Sequence, residues 1–268
     1  YIHQTTSQIG FHLIEITENG LHYNKEVLFS NMRNDYAAMV EFSPNGNLFS
    51  YERDLFTFCR ETGDITILKK DTTNEFVYGV SFSPDSKLLY KFVGPVEDRP
   101  MGLKLYQMNP FAANINASKQ TIYRGSLFRT MQAGPDDKIY LSNSNQAFLS
   151  VINKPNERIG SGSGGGNECE LVEFGVPLVV NSDGVLCREG LPNLRDADFN
   201  VELDADFDFA KEDCHTYKFI PNLCCADSYE WDFGDANSST DKFPTHEYAN
   251  GGTYTVELIV NGDTITKT

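Results

Sequence analysis

The chain has 268 residues, 40% of them hydrophobic and 22% charged, with 38 Asp and Glu against 22 Lys and Arg for a formal net charge of −16. This is globular composition and excludes a fully disordered chain, and so acidic a balance is a poor match for nucleic acid, whose phosphates are held by Lys and Arg. No apolar run approaches the roughly 18 residues that a membrane-spanning helix needs, so no crossing of a bilayer is expected.

At about 150 residues per domain the length predicts two domains. The charge divides the same way: residues 196–268 carry 16 acids and 4 bases, a net of −12, whereas residues 1–195 carry a net of −4. A boundary at Asp196 is therefore expected. The chain opens on Tyr1-Ile2-His3, and any export signal is expected to lie outside it. There are 19 Phe and 13 Tyr but one Trp, and short alternating runs are punctuated by Gly, Pro, Asn and Asp, which predicts an all-β fold.

Three segments of the first region repeat one unit. Val40-Glu41-Phe42-Ser43-Pro44-Asn45-Gly46 leads to Leu48-Phe49, and Val80-Ser81-Phe82-Ser83-Pro84-Asp85-Ser86 leads to Leu88-Leu89-Tyr90. A divergent third copy is Met131-Gln132-Ala133-Gly134-Pro135-Asp136-Asp137-Lys138-Ile139-Tyr140. In each, apolar residues share one face of an inner strand, Pro stops the ladder, and Asn-Gly or Asp-Ser supplies the turn. Between copies, Leu55-Phe56-Thr57-Phe58-Cys59 and Ile65-Thr66-Ile67-Leu68 are two more strands around a turn at Glu61-Thr62-Gly63-Asp64. Four strands thus fit one period, and the prolines at 44, 84 and 135 give the spacing of propeller blades.

The F-S-P-[DN]-[GS] turns resemble those of WD-repeat-like β-propellers. Together with Leu105-Tyr106-Gln107, Leu149-Ser150-Val151-Ile152-Asn153-Lys154-Pro155-Asn156 and Gly190-Leu191-Pro192-Asn193-Leu194, the ordered set resembles the propeller region of large secreted proteins of the Bacteroidota. Those proteins often carry a PKD module next and a type IX secretion signal at the far C-terminus. The resemblance implies four to five blades within residues 1–195, either the remainder of a longer propeller or a small one. The run Gly160-Ser161-Gly162-Ser163-Gly164-Gly165-Gly166 lacks the Lys-Ser/Thr of a phosphate loop and reads as a surface loop.

In the second region, Tyr229-Glu230-Trp231-Asp232-Phe233-Gly234-Asp235-Ala236 leads to Pro244-Thr245-His246-Glu247-Tyr248 and then Gly252-Thr253-Tyr254-Thr255-Val256. These match the W-x-F-G-D-G, P-x-H-x-Y and G-x-Y-x-V segments by which the PKD family of immunoglobulin-like sandwiches is identified, with Ala236 where Gly is usual. The alternation alone also predicts a sandwich: Tyr229, Trp231 and Phe233 share one strand face, and Tyr254, Val256, Leu258 and Val260 share another. Trp231 reads as a core anchor and His246 as structural.

Candidate chemistry is sparse. Asp204, Asp206 and Asp208 project from one strand face, a solvated face by default; calcium would suit such oxygens, but the EF-hand pattern is missing. None of the six cysteines forms a CxxC pair. In an exported protein they predict two disulfides, with Cys169 and Cys187 as one candidate pair and Cys214 with Cys224 or Cys225 as another. A zinc set of Cys214, His215, Cys224 and Cys225 is the weaker alternative. Asn116-Ala117-Ser118 and Asn237-Ser238-Ser239 fit the N-glycan acceptor pattern, which a bacterial setting would leave idle. No G-x-S-x-G elbow or H-E-x-x-H motif occurs.

The sequence therefore predicts an all-β chain, a complete or partial β-propeller followed by an immunoglobulin-like PKD β-sandwich, with no catalytic, cofactor-binding or metal-binding residue assigned. Its expected role is that of an exported protein, not an enzyme, which binds, adheres or assembles at the outer-membrane surface of a Gram-negative bacterium. Its partner would be a protein at the outer membrane or a surface glycan. The resemblance further implies type IX secretion or gliding machinery. The alternative is a glycan-active propeller enzyme with the PKD as accessory, marked by carboxylates about 5–10 Å apart at the propeller mouth.

Overall fold

The computed structural model describes residues 2–4, 8–30, 40–51, 53–60, 62–71, 75–95, 103–112, 114–125, 128–143, 146–160, 167–178, 205–212, 214–221, 226 and 228–268. The expected boundary at Asp196 and most of the glycine-rich run lie outside them. Among the described residues the architecture is all-β, and no helix is long and apolar enough to cross a membrane.

The first sheet is a three-stranded meander of β1 (Ile2–Gln4), β2 (Gln8–Thr17) and β3 (Gly20–Ser30). Three four-stranded antiparallel meanders follow. The second sheet is β4 (Val40–Phe42), β5 (Leu48–Tyr51), β6 (Asp54–Phe58) and β7 (Ile65–Lys69). The third is β8 (Glu75–Phe82), β9 (Leu89–Pro95), β10 (Leu103–Met108) and β11 (Gln120–Gly125), and the fourth is β12 (Phe128–Ala133), β13 (Ile139–Asn143), β14 (Phe148–Ile152) and β15 (Leu171–Pro177). Each is one blade, and the repeated segment of the sequence is the first hairpin of each. The opening strands β4, β8 and β12 lie side by side, as the innermost strands of a propeller do.

Strand alternation builds the stack. In β9, Leu89 and Val93 join the core shared with the second sheet, while Tyr90 and Phe92 join the core shared with the fourth. Both faces are thus buried, which is why the segment reads as a nearly continuous apolar run. The same rule sets the repeat: Val40 and Phe42 pack toward the first sheet, Val80 and Phe82 toward the second, and Met131 toward the third. Between the first two sheets the filling is aromatic, with Phe11 edge-on to Phe49, Tyr51 and Phe56 at ring separations of 5.3 to 5.5 Å.

The second module is a two-layer sandwich. One layer is β16 (Phe207–Lys211), β17 (Thr216–Pro221) and β20 (Thr245–Glu247), ordered β16-β17-β20. The other is β18 (Tyr229–Asp232), β19 (Ser238–Ser239), β21 (Val256–Val260) and β22 (Asp263–Lys267), ordered β19-β18-β21-β22. Trp231 is buried between them edge-on to Phe207, and its indole N–H donates to the Asp241 carbonyl at 3.0 Å. The turn after β18 is held by its own side chains: Asp232 Oδ1 accepts from Gly234 N and Asp235 Oδ1 from Asn237 N. Ala236 takes a left-handed φ of 68°, the conformation for which Gly is the unstrained choice. The outer oxygen of Asp235 meets His246 Nε2 at 2.8 Å, and the imidazole lies flat on Phe233.

The cysteine pairings expected from sequence are corrected. Cys169 and Cys214 are both thiols, whereas Cys59 is disulfide-bonded. Cys169 is buried in the apolar core of the third and fourth sheets, and that burial pushes its pKa up to about 11. Its small apolar bulk fills the core, so spacing around a Gly/Pro segment was no guide to bonding.

Candidate functional site

The repeated turns share one mechanism. Ser43 Oγ accepts from Leu48 N at 3.0 Å and donates to Asn45 Oδ1 at 2.7 Å, and Ser83 Oγ accepts from Leu88 N at 2.8 Å and donates to Asp85 Oδ1 at 2.5 Å. Gly46, Ser86 and Asp137 close the three turns in the left-handed region, at φ of 73°, 62° and 59°. The third turn has no serine at the first position. A Cβ on Gly134 would stand 2.6 Å from the Tyr140 ring, and the Tyr140 hydroxyl donates to Asp136 instead.

These turns are stitched to one another. Asn45 N donates to Ser86 Oγ and Asp85 N to Asn156 Oδ1, both at 3.1 Å, so each of these bonds leads from one blade to the next along a common rim. Beneath the rim, the Gln107 amide donates to the Glu157 carbonyl at 2.7 Å and to the Tyr90 hydroxyl at 2.8 Å, and its oxygen accepts from Ile159 N at 2.8 Å. Tyr90 in turn donates to the Pro155 carbonyl. Every polar atom of this fully buried pair is thereby occupied, as burial requires. On the opposite side of the third sheet the fully buried Lys91 donates to the Arg53 carbonyl at 2.6 Å. Burial pushes its pKa down to about 8 against the opposing pull of Asp71 and Asp54.

The sandwich is seated on this face of the blades. Ile220, at the end of β17, belongs to the core of the second and third sheets, and Phe243 packs against the same cluster. Beside this seat lies a cleft of about 700 Å³ with walls from both modules. The rim contributes Asp85, Lys87 and Arg158, and the sandwich contributes Asp206, Asp208 and Lys267. Asp206 is salt-bridged to Lys267 at 2.8 Å, and the same ammonium donates to the Phe207 carbonyl. Asp85 is engaged in its own turn. Lys87 and Arg158 have no ion-pair partner among the described residues, so two cations face the cleft of a strongly acidic chain, where an anionic or hydrogen-bonding ligand would meet them.

Of the residues weighed from sequence, Asp206 and Asp208 line the cleft and Asp204 lies outside the described residues. Among those residues no cluster of three or more His, Cys, Asp or Glu side chains has the arrangement of a metal site. His215 is exposed on the sandwich, Cys224 and Cys225 lie outside the described residues, and His246 is taken up by Asp235 and Phe233. Asn116, in the first acceptor-like triplet, is half-buried with its Oδ1 shielded from solvent. Arg158, Asn156 and Gln107 were missed as a set. Their partners come from different blades, and only the inclusion of Asn156 in a repeat-like string pointed to it.

The sequence of residues 225–268 matches the PKD domain family model. A collagenase, ColA of Bacillus cereus, is 61% identical over 33 residues, which are 12% of this chain and 3% of the collagenase. Three solved structures share part of the fold at 12% identity. A prolyl endopeptidase has a TM-score of 0.37 over 95% of this chain and 43% of its own. A structure described as a dipeptidyl aminopeptidase IV from Bacteroides ovatus has a TM-score of 0.33 over 59% and 34%. The tricorn protease has a TM-score of 0.31 over 99% and 26%. The chain thus spans less than half the length of each of these proteins. The expectation that the chain is not an enzyme is corrected: the three solved structures to which it is similar are described as peptidases, and at TM-scores of 0.31 to 0.37 neither that activity nor its absence carries over to this chain. Among the described residues the fold is all-β, with propeller-type blades followed by a PKD sandwich.

Proposed function

We propose that this chain is the partner-recognition part of an exported, extracellular protein, working in binding, adhesion or assembly at the outer-membrane surface and linked to type IX secretion or gliding machinery. In this reading residues 1–195 form the propeller region and residues 196–268 the PKD domain. The two act as one unit, because Ile220 and Phe243 tie the sandwich into the blade core. The observation that carries the reading is the cleft at their joint, where Lys87 and Arg158 are presented by rim turns that inter-blade hydrogen bonds hold in place. Rigid turns lose little freedom on binding, which favours recognition through them.

The test is recovery of the full-length protein from native outer membranes beside a Lys87→Glu/Arg158→Glu double variant. A defined component of the secretion or gliding machinery is expected with the natural protein, and at least about tenfold less of it with the variant, given the weight of a desolvated charge pair at an interface. Recovery of the protein alone, or of the same companion in equal amount with both, overturns the reading.

A further inference from the structure

A second concavity, which does not depend on the reading above, lies within the sandwich and adjoins the cleft at Lys267, which lines both. It is a groove of about 390 Å³ at the open end of the two layers, flanked by β16 of one and β22 of the other. Among the described residues both are edge strands in their sheet orders. Along one wall four aromatic rings follow one another: Phe209 and Tyr217 with centroids 6.2 Å apart, Tyr217 and Tyr248 at 5.8 Å, and Tyr248 and Tyr254 stacked at 4.1 Å. Phe209 is on the same side of β16 as the buried Phe207, yet it is 48% exposed, because the layers do not close over it.

The other end of the groove carries Gly251 and Gly252. Neither has a left-handed φ, and a Cβ on Gly251 would meet nothing within 4 Å, while one on Gly252 would make only ordinary contact with the Tyr254 ring at 3.5 Å. Neither backbone geometry nor internal crowding excludes a side chain at either position, and the bare backbone leaves the aromatic wall open to close approach. The basic side chains lining the groove are Lys211, Lys267 and the imidazole of His215, with no Asp or Glu among the lining residues of a module that is otherwise strongly acidic. Lys267 is held by Asp206, whereas Lys211 lies 5.8 Å from the Tyr217 ring with no carboxylate partner among the described residues.

We infer that this groove is the docking site for an extended segment of a partner protein, which adds to the edge of β16, places apolar side chains at alternate positions against the aromatic wall, and offers a carboxylate to Lys211. An open edge supplies main-chain hydrogen bonds to such a strand, and side-chain pockets at every second residue supply its selectivity.

The test uses the full chain and synthetic ten-residue peptides in which Val or Leu alternates with Thr, with one central Val or Leu replaced by Glu or by Lys, so that the charge lies on the face shared by Phe209 and Lys211. Scrambled peptides of the same composition serve as controls. The Glu peptide is expected to bind about tenfold more tightly than the Lys peptide, a difference of one charge-assisted contact. Binding should slow hydrogen exchange of the amides of Phe207–Lys211. Lys211→Glu should reverse the Glu-over-Lys order, and Gly252→Val should abolish binding with the thermal unfolding of the protein unchanged. The inference is overturned by indifference to alternation or to charge, by protection elsewhere than β16, or by binding that survives Gly252→Val. Failure of all the peptides, capture of glycans in their place, or self-association of the chain through this edge overturns it equally.

Discussion

The blades and the sandwich solve the problem of burying β-strands in different ways. In the third sheet both faces are covered by neighbouring sheets, so polar groups are unavoidably trapped, and Lys91, Tyr90 and Gln107 are satisfied by backbone carbonyls and amides contributed from adjacent blades. The sandwich buries one shared interior around Trp231, Phe207 and Phe219, and its polar side chains work over short distances in turns. Stability in the blades is thus spread over contacts distant in sequence, whereas in the sandwich it is concentrated in a few local features. Substitutions should separate the two regimes.

The largest effect is expected from Gly234→Ala. The residue has a φ of 75°, and a Cβ there would lie 2.4 Å from the Thr255 carbonyl oxygen. Backbone strain and overpacking together should cost on the order of 3 kcal/mol or more, seen as a sandwich transition at lower denaturant while blade signals hold their midpoint. An unchanged midpoint would mean that the turn relaxes freely.

An intermediate effect concerns pH. The Lys91 ammonium has a folded pKa of about 8, below its ordinary 10.5. Below about pH 8 the folded blades carry a buried charge, and between about 8 and 10.5 the unfolded chain binds the additional proton. Stability therefore rises with pH in that window. From pH 7 to 9.5 the gain should be about 2 kcal/mol for the natural protein relative to Lys91→Met, measured by urea unfolding at each pH; parallel curves for the two proteins would refute the assignment.

The smallest effect has the opposite sign. Ala236 sits two residues from Gly234 in the same turn with its own left-handed φ. Replacing it by Gly removes a Cβ penalty of about 1 kcal/mol, so Ala236→Gly should raise the melting temperature of the sandwich by a few degrees.

How much was legible in advance follows the same division. The sandwich was readable almost residue by residue, because Trp231, Gly234, His246 and Tyr254 contribute through near neighbours or through strand alternation. The blade hairpins were readable from Ser43-Pro44 and Ser83-Pro84 because the serine hydroxyl closes its own turn. The rim bonds from Asn45 to Ser86 and from Asp85 to Asn156 were not, since spacing in sequence says nothing of which loops converge. The cysteines failed for a related reason: Cys169 lies near a plausible mate in sequence, but its surroundings are apolar core. The cleft also stayed hidden, because its walls come from two modules and its two cations are ordinary surface types until their neighbours are known.

The stitched rim also bears on how such a molecule is assembled over generations. Each link joins a main-chain amide at the third position of one hairpin corner to a short oxygen-bearing side chain on the next corner along, and the second link accepts asparagine from a different loop in place of serine. A copy of the second unit would arrive with both halves of the joint, the Asp85 amide and the Ser86 hydroxyl, already encoded, whereas the first unit has Gly46 at the acceptor position. Lengthening the series of blades by gene duplication then demands no new geometry, only that the copy keep one small oxygen acceptor within reach of its predecessor.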